Sequence, residues 1–214
     1  MKLYGFWRSS ATWRVRIGLA YKGIAYDYQP VDLIKGGGEQ HRADYVAINP
    51  MKQVPVLELD DGTRLTQSLP ILEYLDEVHP EPPLLPRDPI PRARVRQIAE
   101  MINSGVQPLQ NTAVRRHVEE VLHADGQAWI ERWVATALTA IEAVVKEHAG
   151  KFAVGDSISL ADVCIVPQLY FARRFDLAVE RYPTLLRIES TCASMPAFAS
   201  AHGERQIDFA RPKG

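Results

Sequence analysis

Residues 49–78 read NPMKQVPVLELDDGTRLTQSLPILEYLDEV, and the fold is decided in this stretch. Val54 to Leu59 is apolar and β-rich, so it reads as a strand. Asp60-Asp61-Gly62 follows as a hairpin turn, and Thr63 to Thr66 is the returning partner. Ile71, Leu72, Leu75 and Val78 then recur at helical spacing.

Working back toward residue 1, Lys2 to Trp7 reads as a short strand. Thr12 to Tyr21 places Trp13, Ile17, Ala20 and Tyr21 on one helical face, and Gly23 suits the C-terminal cap. Ala25 to Leu33 alternates as a strand does, and His41 to Ile48 has the pattern of a short helix. The order is therefore β-α-β-α-β-β-α, that of a thioredoxin-like α/β domain.

Working forward, residues 80–91 read PEPPLLPRDPIP, in which six of twelve residues are proline. Each proline fixes φ and lacks an N–H donor, so this run is expected to be a stiff linker with neither helix nor strand. The expected division is a first domain over 1–80, a linker over 81–91 and an all-helical domain over 92–214. Arg92 to Ala113 is expected to be one helix, with Val95, Ile98, Ala99 and Ile102 on one face. Ala128 to Val145 repeats the pattern through Trp129, Trp133, Ala137, Ile141 and Val144. In GDSISLADVCIVPQL, residues 155–169, Ser159 and Asp162 form an S-x-x-D capping box ahead of an apolar run, flanked by Ile158 and Val163 as a staple. It is a folding signal without a catalytic role. Pro167 lies inside the same run and is expected to kink the helix.

Composition narrows the function. The chain has 214 residues, 25 Lys plus Arg against 26 Asp plus Glu, and a formal net charge of -1. Residues 1–80 carry 9 basic and 10 acidic side chains, and the remainder 16 and 16, so neither half is a charged tail. A near-neutral chain has no electrostatic pull toward nucleic acid. Two cysteines, Cys164 and Cys192, exclude a disulfide scaffold and a cysteine-rich zinc site, and no metal site is expected. The start lacks the roughly 7–15-residue apolar run of a signal peptide, and no stretch reaches the roughly 20 residues of a membrane span. The default expectation is a cytoplasmic protein with reduced thiols.

Three local signals could carry chemistry. The turn Arg8-Ser9-Ser10-Ala11-Thr12 holds hydroxyls where a redox thioredoxin domain would hold C-x-x-C, so disulfide exchange through it is excluded. Hydroxyls and N–H groups at a helix N-terminus stabilise a bound anion, and equally they serve as plain caps. Pro55 at a strand start admits a cis Val54-Pro55 bond that would offer Val54 backbone groups to an extended peptide, or an ordinary trans proline on an edge strand. Gln67-Ser68 precedes a helix and suits either a carboxylate or a plain cap.

Taken together, RSSATWRVRIGLA (8–20), NPMKQVPVLE (49–58), QSLPILEYL (67–75), PEPPLLPRD (80–88), VQPLQN (106–111), the capping-box run and ARRF (172–175) resemble the soluble glutathione transferases over nearly the whole chain. Within that family they resemble the zeta class, which includes maleylacetoacetate isomerase and a bacterial maleylpyruvate isomerase branch. The class usually reads S-S-C-[SA]-x-R-V-R; here Ala11 stands at the Cys position, so thiol chemistry supplied by the protein is not expected there. The maleylpyruvate branch lacks that Cys as well.

The resemblance implies glutathione as cofactor, bound by the first domain. Ser9 matches the hydroxyl facing the sulfur, with Ser10 beside it. Val54 matches the backbone partner of the cysteinyl unit, and Gln67 with Ser68 the pair holding the γ-glutamyl end. His41 and Gln53 match positions that contact the glycine end in theta relatives. Gln107 and Asn111 match residues lining the site, and Arg8 with Arg174 match basic residues for substrate carboxylates. The implied reaction is cis–trans isomerisation of an oxo-diacid, either maleylacetoacetate or maleylpyruvate. A free thiol near ~8.5 is mostly protonated at neutral pH, and a drop of about 2 units, roughly 2.7 kcal/mol, would make thiolate dominant. A homodimer is implied as well. The alternatives are a general transferase or glutathione-dependent dehalogenase, and a non-catalytic binding module.

Overall fold

In the computed structural model, which describes residues 1–209, β1 (Lys2–Gly5) is the second strand of a four-stranded sheet ordered β2-β1-β3-β4. β2 (Asp27–Pro30) runs parallel to β1, while β3 (Val56–Glu58) and β4 (Arg64–Thr66) are antiparallel neighbours. Helices α1 (Ser10–Tyr21), α2 (Ala43–Val46) and α3 (Ser68–Val78) complete the expected order. The strands are shorter than their apolar patterns suggest, because pairing ends where the partner strand ends. Leu3, Ile17, Leu57, Ile71, Leu72 and Leu75 are fully buried in this unit. Gly23 takes φ +65 just after α1, the left-handed conformation expected of a helix stop.

The second unit is helical: α4 (Pro89–Asn103), α5 (Thr112–Glu120), α6 (Gly126–His148), α7 (Leu160–Arg173) and α8 (Pro183–Ala193). The capping box at the start of α7 is present. Asp162 Oδ2 accepts from both the N–H and the hydroxyl of Ser159, each at 2.8 Å. Its Oδ1 accepts from the Ala153 N–H at 2.8 Å, so one carboxylate caps the helix and ties down the loop before it. Burial pushes this carboxyl up to about 6 against the pull of those donors. α7 runs through Pro167 without interruption.

Three sequence expectations change. The proline run does not exclude helix to its end, because α4 begins at Pro89. A first-turn N–H has no intrahelical acceptor, so the missing donor costs nothing there and the fixed φ suits the helix. Leu84 and Leu85 in the same run are buried, and the Leu84 carbonyl accepts from the Leu160 N–H at 2.9 Å.

The expected helix over 92–113 is two helices. α4 stops at Asn103, where the bonding slips to i−5 at Gly105 N–H to the Glu100 carbonyl, and Pro108 has no N–H to resume the helix before α5 starts at Thr112.

Over the described residues the compact units divide as Met1–Pro82 with residues 194–209, and Pro83–Ala193. The segment after Ser194 therefore belongs with the first unit and not with the helical domain assigned to 92–214. There α9 (Pro196–Ala201) lies against α1, with Ala197, Phe198 and Ala201 buried. Among the described residues no helix is long and apolar enough to cross a membrane, and no His, Cys, Asp and Glu cluster could hold a metal.

Candidate functional site

The turn between β1 and α1 is built by close approach. A Cβ on Gly5 would overlap Thr12 Cγ2 and lie 2.9 Å from the Tyr28 ring, so only glycine lets the helix start this near the sheet. The Ser9 N–H donates to the Phe6 carbonyl at 3.0 Å, closing the turn. Ser9 has extended backbone angles (φ -69, ψ 117) as the N-cap of α1, and its Oγ accepts from the Thr12 N–H at 3.2 Å. A capping hydroxyl uses an oxygen lone pair and keeps its proton, so capping and donation to an anion are compatible. Ser10 is buried beside it. The Arg8 guanidinium lies 5.8 Å from the centre of the Phe6 ring and 5.7 Å from that of Trp7.

The loop before β3 is pinned from below. The Tyr45 hydroxyl and the Asn49 side-chain amide both donate to the Gln53 carbonyl, at 2.7 and 2.8 Å. Asn49 Oδ1 accepts from the Met51 N–H at 3.1 Å. The Val54-Pro55 bond is cis. Val54 is buried and precedes the ladder, which opens with Val56 opposite Tyr4. His41 is exposed and ends the single turn Glu39–His41, whose other two residues are half-buried.

Gln67, at the start of α3, is exposed and has φ +69. A side chain held in this region costs of order 1–3 kcal/mol, a strain that recurs at ligand clamps. Ser68 is buried, and its Oγ accepts from Arg14 Nη1 at 3.3 Å. Arg14 is fully buried inside α1, as is Arg16. Neither arginine stands out in the sequence as a site residue. The available signal was that Trp13, Val15, Ile17 and Leu19 leave α1 no polar face, so arginines between them must also be enclosed.

A glutathione S-transferase N-terminal domain model matches residues 8–78, and a glutathione S-transferase C-terminal domain model matches residues 131–196. The chain belongs to the glutathione S-transferase family. Maleylacetoacetate isomerase of Mus musculus is 45% identical over 206 residues, which cover 96% of this chain and 94% of that protein. The crystal structure of maleylacetoacetate isomerase from Anaeromyxobacter dehalogenans 2CP-1, with bound GSH in the active site, superposes with a TM-score of 0.89 at 50% identity, covering 98% of this chain and 97% of that one. A maleyl pyruvate isomerase described as a bacterial zeta-class glutathione S-transferase has a TM-score of 0.93 at 35% identity, covering 98% and 100%.

Three expected site residues of this glutathione S-transferase belong to the second unit. Asn111 is the N-cap of α5, its Oδ1 accepting from the Ala113 N–H at 2.9 Å. The Gln107 N–H donates to the Ile102 carbonyl at 2.9 Å, in the turn after α4. Between them Gln110 is buried in a reciprocal amide pair with Gln168 of α7, at 3.0 and 2.8 Å. This pair fixes the connection that carries Gln107 and Asn111, and its two residues are 58 positions apart in sequence. Arg174 caps α7, with its guanidinium 5.9 Å from the Phe171 ring centre and 5.7 Å from that of Phe175. The neighbouring Arg173 pairs with Glu189 through two bonds of 2.6 and 2.5 Å. Cys164 and Cys192 are both fully buried in the helical unit, and burial pushes the Cys192 thiol up.

The first unit of the transferase matches the chemistry of glutathione in three places. A hydroxyl stands at the N-terminus of α1, a setting that suits an anion. Val54, buried ahead of the β3 ladder, stands where an extended peptide could pair with backbone. The N-terminus of α3 carries Ser68 with a guanidinium behind it, which suits a carboxylate.

Proposed function

We propose that this protein is a glutathione-dependent cis–trans isomerase of an oxo-diacid. Maleylacetoacetate is the substrate, since the relatives at 45 and 50% identity bear that name and the one at 35% is a maleylpyruvate isomerase. The observation that carries the mechanism is the Ser9 hydroxyl, which caps α1 through its oxygen while its proton remains available for donation. When bound, glutathione supplies a thiolate whose reversible addition to the cis double bond permits rotation, and it leaves unchanged.

The chain's own groups do the rest. Ser9 donates to the sulfur, and with the α1 N-terminus it favours the anion. Ser10, buried next to it, adds a second hydroxyl to the same turn. Val54 pairs with the cysteinyl backbone. Gln67, Ser68 and the start of α3 hold the γ-glutamyl end, while His41 and Gln53 serve the glycine end. From the helical unit, Gln107 and Asn111 serve glutathione and Arg174 a substrate carboxylate. Arg8 and Arg174 present guanidinium groups, which bind carboxylates bidentately and so favour a diacid. Ala11 leaves the reactive sulfur to the cofactor alone. The same reading carries a cytoplasmic homodimer, and sedimentation velocity at assay concentration tests the dimer.

The deciding experiment follows each substrate's isomerisation with and without glutathione and titrates free thiol at completion. Full dependence on glutathione with no loss of free thiol is expected. Stoichiometric loss of thiol would replace isomerase by transferase.

A further inference from the structure

The turn that bears Arg8 and Ser9 is held from the far end of the chain. Asp208 Oδ2 accepts from the Trp7 N–H at 2.8 Å and from the Tyr28 hydroxyl at 3.3 Å. Arg16, fully buried, spreads its guanidinium over three carbonyls: Nη2 to Trp7 at 2.9 Å, Nη1 to Phe6 at 3.4 Å and Nε to Ala201 at 3.0 Å. The Phe6-Trp7 peptide is therefore bound on both its N–H and C=O sides, and the carbonyl of the next peptide is bound as well. The contact is also close, because a Cβ on Gly203 would overlap the Trp7 carbonyl oxygen. Aromatic pairs flank it, with Trp7 and Phe209 at 4.8 Å and Trp13 and His202 at 4.7 Å between ring centres.

Such a set of contacts exceeds what packing alone needs. Asp208 Oδ1 is buried with no hydrogen-bond partner among the described residues. An apolar residue would remove that cost but deprive the Trp7 N–H and the Tyr28 hydroxyl of this acceptor, so the carboxylate is kept for its bonds and not for its packing. What the carboxylate provides is a charged acceptor aimed at the Trp7 N–H, two residues before the proposed thiol donor. Charge-assisted bonds to backbone N–H groups are short and directional, which suits them to fixing a peptide plane.

We infer that residues 201–209 form a C-terminal clamp in which Asp208 and Arg16 are positioning residues, orienting the Trp7-Arg8-Ser9 turn for catalysis. The inference rests on the isomerase reading for its kinetic consequence but not for the clamp itself. A misplacement of about 1 Å at a reacting group costs up to 10²-fold in rate. The clamp touches the sulfur end of the site and leaves Gln67 and Ser68 alone, so it separates turnover from glutathione affinity.

The test compares full-length wild type, Asp208→Ala and Asp208→Asn. Hydrogen exchange at the Trp7 and Ser9 amides is read first, then glutathione affinity by calorimetry, then kcat, then the pH titration of bound thiolate by its ultraviolet absorbance. For Asp208→Ala we expect faster exchange at both amides, a roughly 10- to 100-fold fall in kcat and a raised thiol pKa. Glutathione affinity should stay within about threefold of wild type. Asp208→Asn keeps an acceptor oxygen and should restore most of the loss. Unchanged exchange and kcat in Asp208→Ala would overturn the clamp. So would equal losses of affinity and kcat in both variants, since those mark a purely structural residue. A wild type without isomerase activity refutes the function alone, and the exchange arm still judges the clamp.

Discussion

Replacing Ser9 with alanine separates the two tasks that one oxygen performs. The first is the cap: Oγ accepts from the Thr12 N–H at 3.2 Å, a long bond. An N-cap lost to alanine costs about 0.5–2 kcal/mol, and this length places Ser9 in the lower half of that range. In a protein of this size the melting temperature should fall by roughly 1–4 °C. The second is donation to the glutathione sulfur. A hydrogen bond to a charged group is worth about 1.5–3 kcal/mol, which raises the bound thiol pKa by about 1–2 units. At neutral pH that lowers kcat/KM by roughly 10- to 100-fold. Ser9→Thr keeps both tasks and should stay near wild type. Ser9→Asp keeps the cap, and the carboxylate suits the helix N-terminus, so its melting temperature should equal or exceed wild type. A negative charge beside the sulfur opposes thiolate, so its activity should vanish. The assay is kcat/KM against pH alongside calorimetric melting for all four proteins. An alanine variant with unshifted pH profile and near-full rate, or an active aspartate variant, would refute the reasoning.

Three further outcomes follow from other parts of the molecule. Arg14→Met removes the guanidinium bound to Ser68 and should weaken glutathione binding by about tenfold, with kcat at saturation little changed; calorimetry and the KM-against-kcat split decide it. The Asp162 carboxyl, pushed from its ordinary 3.8 to about 6 by burial, binds its proton more tightly folded than unfolded. Its contribution to stability is therefore fully present below 3.8 and lost as pH rises through about 6, by roughly 3 kcal/mol over the whole window. Urea unfolding between pH 4 and 7.5 should show that slope in wild type, flattened in Asp162→Asn, which should also be less stable by about 2–4 kcal/mol because its amide faces the Ser159 donors. Neither Cys164 nor Cys192 should react with a thiol-alkylating reagent in the folded protein, and treated enzyme should keep its activity; both sites should label only after denaturation.

Much of the architecture is written locally. The hairpin at Asp60-Asp61-Gly62, the helix through Ile71, Leu72 and Leu75, the stop at Gly23 and the S-x-x-D box at Ser159 each depend on residues within a few positions of one another. Period and turn chemistry act over that range, so a single chain reveals them. The boundaries that moved depend on partners. Proline forbids a helix interior but not a first turn, which asks for no N–H, and α4 starts within the proline run. The helix expected over 92–113 breaks because its bonding slips at Gly105, whose N–H reaches back to the Glu100 carbonyl, and Pro108 then supplies no N–H to resume it.

The site divides along the same line. The sequence by itself determined which residue types stand in the first loop, at the cis proline and before α3, and it excluded thiol exchange through the Arg8–Thr12 turn. Only the tertiary structure decided what holds those residues in place. Arg14 reaches Ser68 across 54 positions, Gln110 meets Gln168 across 58, and Asp208 closes on Trp7 across 201. Buried charges and amides must find partners wherever the fold brings them, and no local period announces which distant residue that will be. The return of the chain after Ser194 to the first unit is of that kind: Arg16 is enclosed by α1's own apolar surroundings, and one of the carbonyls it binds belongs to Ala201.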